Sequence, residues 1–128
     1  MVRPYRASDE PILRAIHKAQ GFDYEFPDLG RFEGVLVSTD ENDSPIQAIA
    51  ARKTVEMYFL GDPNYRTPRW RMAHFAALHE EMHKFLLDRG YTDVLAFIPP
   101  EIVKSFGKRL QRTFGWVPGR WQHFCKYL

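Results

Sequence analysis

Apolar positions change their period several times along the chain, and each change marks an element. Val2 to Arg6 reads as a short first strand. Ile12, Ala15, Ile16 and Ala19 then fall at i, i+3, i+4 and i+7, the stripe of an amphipathic helix. Ser8 offers its N-cap, Asp9 and Glu10 place negative charge in the first turn, and Gly21 is a suitable stop. From Phe22 to Phe32 the regular period is lost, and Phe22, Tyr24 and Phe26 alternate with Asp23 and Glu25 before Asp28. Gly34 to Thr39, Ile46 to Arg52 and Val55 to Leu60 read as three strands of an antiparallel meander. Asp40 to Pro45 is the polar turn between the first two.

The second half opens on turn chemistry, Gly61-Asp62-Pro63-Asn64. Thr67-Pro68 then supplies an N-cap and a proline at the first helical position. The predicted helix runs to about Asp88, with Phe75, Leu78, Met82, Phe85 and Leu86 as its apolar stripe and Gly90 past its end. Thr92 to Ile98 reads as a short buried strand, broken by Pro99 and Pro100. Glu101 to Thr113 reads as a helix with Ile102, Phe106 and Leu110 on one face, ended by Gly115. Trp116 to Leu128 is expected to close the sheet, with a turn at Pro118-Gly119. The order is that of a mixed α/β fold, and the lone strand between two helices implies one parallel crossover.

Length and composition fit a single domain over residues 1–128. The 128 residues are 45% hydrophobic, 15% aromatic and 27% charged, enough for a packed interior and too apolar for long disorder. The net charge of +2 is small for a general nucleic-acid binder. Cys125 is the only cysteine, which excludes an intrachain disulfide. No run reaches the ~18 apolar residues of a membrane span, and the N-terminus lacks the apolar stretch of a signal peptide. The expectation is a cytoplasmic protein with no membrane or nucleic-acid partner.

Four local sequences, in order, carry a family resemblance. Val2-Arg3-Pro4-Tyr5-Arg6-Ala7-Ser8-Asp9 looks like an "hRxhxxxD" strand-to-helix passage, and Asp62-Pro63-Asn64-Tyr65-Arg66 like "D-P-x-Y-R". Asp88-Arg89-Gly90-Tyr91 before an apolar strand looks like the end of a long helix, and Thr113-Phe114-Gly115-Trp116 sits where "x-h-G-F" is usual. Together they resemble the GNAT acyltransferases, which are acetyl-CoA-dependent N-acetyltransferases, across nearly the whole chain. The resemblance implies the GNAT-like acyl-CoA N-acyltransferase fold: a mixed central sheet, an antiparallel N-terminal meander and flanking helices. It implies an acetyl-CoA or other acyl-CoA cofactor without a metal, and direct attack of a small-molecule or protein amine on the thioester. Backbone near Met57, Tyr58, Phe59 and Leu60 is expected to hold the pantetheine arm, and Glu56 to match the family's base. Asp23, Tyr24, Glu25 and Phe26 fall where the family shapes its acceptor pocket. A homodimer is a further expectation.

The chain departs from the pattern at two places. The family's cofactor loop carries glycines that let the backbone approach a pyrophosphate. Here Arg66-Thr67-Pro68-Arg69-Trp70-Arg71 carries arginines instead. Cations at a helix N-terminus oppose the macrodipole, so Arg66, Arg69 and Arg71 call for compensation. A phosphate clamp built from these side chains with Trp70 is one form of it, and pairing with Asp62 or other carboxylates is another. The second departure is Gln111, which stands where many members place a tyrosine as general acid. Both favour the alternative of a catalytically degenerate domain with a structural or binding role, as in some phage virion proteins.

A competing motif is His79-Glu80-Glu81-Met82-His83, which matches the zinc-protease pattern His-Glu-x-x-His on a helix. It makes His79 and His83 an alternative metal pair that still needs a third ligand. His123 and Cys125 share a face of the last expected strand, where no oxyanion site is evident.

Overall fold

Short-period alternation at the N-terminus and over residues 34–51 does produce a sheet. The computed structural model describes all of residues 1–128 and divides them into two units, Met1–Val55 and Glu56–Leu128. The fold is mixed α/β.

In the first unit, β1 (Val2–Pro4), β2 (Gly34–Thr39) and β3 (Pro45–Ala51) form a three-stranded antiparallel sheet in the order β1-β2-β3. Val37 pairs with Arg3 on one side and Ala48 on the other, and is fully buried. The β2–β3 turn closes through Asp40, whose Oδ1 accepts from the amides of Asn42 at 2.9 Å and Ser44 at 2.8 Å. A register shift between Ser38 and Thr39 sets Thr39 opposite Pro45.

Helix α1 (Glu10–Gln20) packs on β3 and ends at Gly21, whose φ of 71° is the left-handed turn that glycine adopts without strain. Its entry differs from the expected Ser8 cap. A 3₁₀ turn, Ala7–Asp9, precedes it, and Asp9 Oδ2 accepts from the Arg6 amide at 2.8 Å. The buried face is also rotated: Leu13 is buried and Ile16 half-buried, while Ile12, Ala15 and Ala19 are exposed. Leu13 and Ile16, three residues apart, share the face that this helix buries.

In the second unit, α2 (Pro68–Asp88) starts as expected, with Thr67 Oγ1 accepting from the Trp70 amide at 3.2 Å. Phe75 is buried, but Leu78, Met82 and Phe85 are exposed. The inner face runs through Met72, Phe75, Ala76 and His79 instead. This helix has apolar residues on two sides, so its period alone left the choice of face open. The second expected helix is wound in three parts: α3 (Pro100–Ile102), a π-helical turn (Val103–Gly107) and α4 (Lys108–Phe114). A π turn adds residues to the winding and rotates whatever precedes it. Ile102 therefore leaves the face it was expected to share with Phe106 and Leu110, and is exposed.

Three expected strands are corrected. Val55 to Leu60 is not a strand of the sheet, and with Thr92 to Ile98 it forms only an isolated parallel bridge, Glu56 to Leu95. Trp116 to Leu128 contains no strand, and Val117, Phe124 and Tyr127 stand exposed. Apolar alternation can supply a strand's side-chain pattern without supplying a partner for its backbone. No helix is long and apolar enough to cross a membrane.

Candidate functional site

The expected cofactor residues all fall in the second unit, but of them only Phe59 and Arg71 line one cleft together, while Met57 lines another. Met57 donates its amide to the Leu95 carbonyl at 2.8 Å, and the pairing stops there. The amides of Tyr58, Phe59 and Leu60 have no main-chain partner. This extended stretch is pinned by Phe59, whose ring meets Phe75 edge-on at 4.8 Å and lies parallel to Phe106 at 6.2 Å. Phe75 also meets Phe106 and Phe114 edge-on, at 5.5 and 5.2 Å, so it is the hub of the unit's aromatic core. Gly61 is required beside that ring: a Cβ there would lie 2.8 Å from Phe59 Cζ. A cleft of about 250 Å³ opens at this point, lined by Phe59, Gly61, Arg71, Phe75, Phe106 and Arg109 among others.

The loop entering α2 is built by its own side chains. Asp62 Oδ1 accepts from the Asn64 amide at 2.8 Å. Arg66 has a φ of 56°, a left-handed conformation that costs a non-glycine residue free energy. Arg71 compensates by reaching back from the first turn of α2, donating through Nη1 to the carbonyls of Tyr65 at 3.1 Å and Arg66 at 2.9 Å. Arg71 is thus a loop strut, which answers in part how a cation is tolerated at this helix start. Arg66 lies over the Tyr65 ring at 5.5 Å. Arg69 is exposed and makes no ion pair. Trp70 stacks on His74 at 3.5 Å and meets Tyr65 edge-on at 5.5 Å, while His74 Nδ1–H donates to the Trp70 carbonyl at 3.0 Å. No carboxylate, Asp62 included, pairs with the three arginines.

Glu56 is exposed, and its carboxylate beside Tyr58 pushes that phenol's pKa above its ordinary value. Residues two apart on an extended chain point the same way, and this pairing was not anticipated from the sequence. Gln111 lies exposed on α4.

The same unit holds a larger cleft of about 400 Å³, bordered by the second half of α2, residues 91–94 and residues 114–117. His79 and His83 both line it. His79 Nε2 accepts from Trp116 Nε1–H at 2.9 Å, and its ring packs against Phe114 at 4.7 Å. Burial, then the nearby His83, push the His79 pKa below its ordinary value. No third His, Cys, Asp or Glu joins the pair to make a metal-binding group. His79 therefore lies on the inner face of α2, tied to an indole, a partnership that the His-Glu-x-x-His pattern gave no sign of. His123 packs on Phe97 at 4.9 Å, and Cys125 is exposed.

The expected acceptor residues belong to the first unit. There Tyr24 and Phe26 meet His17 edge-on at 4.8 and 5.7 Å, and the Arg14 guanidinium lies 4.4 Å above Phe26. Asp23 and Glu25 are exposed, and His17 Nε2 is buried with no hydrogen-bond partner. These rings form a local cluster around α1.

No protein-family model, no curated protein and no solved structure matches the chain.

Proposed function

We propose that the second unit binds an acyl-coenzyme A and that the chain passes the acyl group to an amine, on a GNAT-like fold. The observation that carries this reading is the Met57–Leu60 segment. It parts from Leu95 after a single bridge and leaves three successive residues with unpaired amides. These residues are exposed, so their amides are open to solvent and to any ligand that lies along the segment. The amide-bearing arm of a coenzyme A thioester is of the right chemistry, and Phe59 fixes the backbone that would meet it.

The loop adds an anion-binding end. Arg66 and Arg69 are cations without carboxylate partners at the start of a 21-residue helix, whose first amides also favour negative charge. Arg71 serves by holding the carbonyls of Tyr65 and Arg66 in place. Side-chain guanidinium groups here take the part that glycine backbone plays in the related loops. Acyl-coenzyme A, when bound, supplies an activated thioester. Glu56, with Tyr58 beside it, is the proposed base that takes a proton from an incoming ammonium.

A second reading, binding without transfer, is favoured by two observations. Gln111 has no proton to give at this pH, and Glu56 sits in solvent. Thiol release from acetyl-CoA with a panel of primary amines separates the two. Release that falls at least tenfold in Glu56→Gln supports transfer. Binding without release over the whole panel supports the second reading. In either case Arg69→Ala is expected to weaken acetyl-CoA binding roughly tenfold, the loss of one charge-assisted contact. Unchanged affinity in Arg69→Ala would remove the clamp.

A further inference from the structure

Trp116 is the first residue past the Gly115 stop, and its indole can only donate a hydrogen bond. His79 Nε2, 2.9 Å from Trp116 Nε1, must therefore be the acceptor. The ring is neutral with its proton on Nδ1. A second proton would go onto Nε2 and set one N–H against another, so the bond cannot survive it. Trp116 and Val117 form one wall of the larger cleft, and α2 supplies the opposite wall through His79, His83 and Leu86. The Trp116 amide stays on the Leu110 carbonyl at 3.2 Å, and the chain beyond Val117 forms no helix or strand and rests on side-chain contacts such as His123 on Phe97.

We propose that the His79–Trp116 hydrogen bond is a pH-sensitive latch, released by protonation of His79 in mild acid, which opens the cleft between α2 and the segment that starts at Trp116. The groups around the imidazole set when this happens. On α2, His83 opposes a second charge and Glu80 favours it. From residues 91–94, Asp93 and Tyr91 line the same cleft. The end of α4 offers the Phe114 ring and no charge. Burial and His83 outweigh Glu80, which holds His79 neutral at neutral pH and confines release to the acid side. His83, one helical turn away, therefore works against release.

The test uses the full chain labelled with ¹⁵N, with the three indole N–H signals assigned through Trp116→Phe and Trp121→Phe. The Trp116 indole proton is expected to exchange roughly tenfold or more slowly than that of Trp70, which is exposed, at about pH 8. On lowering the pH to about 5 it is expected to lose that protection, with the midpoint of the His79 ring titration. His79→Gln keeps an acceptor that does not titrate, and its Trp116 indole should stay protected throughout. His83→Gln should move the midpoint upward. An indole signal indifferent to pH while His79 titrates overturns the proposal. So does an equal pH response in His79→Gln, or release that occurs only together with loss of the helical circular dichroism.

Discussion

Arg3 and Asp9 meet in a two-pronged pair, with Arg3 Nη1 2.8 Å from Asp9 Oδ2 and Arg3 Nη2 2.9 Å from Asp9 Oδ1. Asp9 is 3% exposed, and it also accepts from the Arg6 amide. One carboxylate thus closes the turn into α1 and ties it to β1. Arg3 Nε completes the arrangement by donating to Asp43 at 2.7 Å in the β2–β3 turn.

Removing the carboxylate leaves a buried guanidinium. Asp9→Asn is expected to cost about 3 kcal/mol, the low end for breaking a buried pair, because Asp43 still faces Arg3. Urea unfolding followed by circular dichroism measures it. The Arg3 hydrogen bonds pull the Asp9 pKa down to about 2 from an ordinary 3.8. As pH falls, the unfolded chain takes up this proton first, so the contribution is complete above about pH 4 and lost on the way to pH 2. Asp9→Asn should flatten that part of the acid-unfolding curve.

Phe75 contacts Phe59, Phe106, Phe114 and His79 and is buried. Phe75→Ala is expected to cost about 3–5 kcal/mol by lost transfer energy and the cavity left behind. Thermal unfolding of the variant should show it, and Leu78→Ala on the exposed side of α2 should cost under about 1 kcal/mol.

Gly61→Ala sets a methyl 2.8 Å from Phe59 Cζ. The ring rests on Phe75 and Phe106 and is about half exposed, so it must shift off those contacts to admit the methyl. A loss of about 1–3 kcal/mol is expected from overpacking, with weaker acetyl-CoA binding as the Met57–Leu60 backbone shifts. Equal stability and affinity to the parent would contradict the fixed position of Phe59.

Arg66 at φ 56° gives a prediction that separates strain from binding. Arg66→Gly should be more stable than Arg66→Ala by about 1 kcal/mol, since only glycine takes this conformation freely. Both variants lose the same guanidinium, so both should lose the same affinity for acetyl-CoA. Denaturation and calorimetry on the two proteins check it.

Most local signals read from the sequence are kept by the structure, the Ser8 cap excepted. The Thr67 cap, the Gly21 and Gly115 stops, the Asp40 turn and the first two meander strands depend on neighbours in the chain. What the sequence concealed depends on distant partners. Residues 55–60 alternate like a meander strand, yet Met57 finds Leu95 in parallel instead. The face of α2 was ambiguous because Leu78 and Met82 are as apolar as Met72 and Ala76. Of the candidate site, Met57 to Leu60 and the loop arginines were singled out by resemblance, and the structure sets both in the second unit. The use of Arg71 as a strut was not, because its acceptors are carbonyls, which every residue carries. The Trp116 partnership of His79 spans 37 positions and has no sequence mark.

The central claim is that the second unit has a coenzyme A site, and titration calorimetry of acetyl-CoA into the full chain tests it most directly. Saturable one-to-one binding in the micromolar range is expected, about −7 to −8 kcal/mol, and weakened in Arg69→Ala. No heat of binding at millimolar acetyl-CoA, from a chain shown to be folded, would contradict the account.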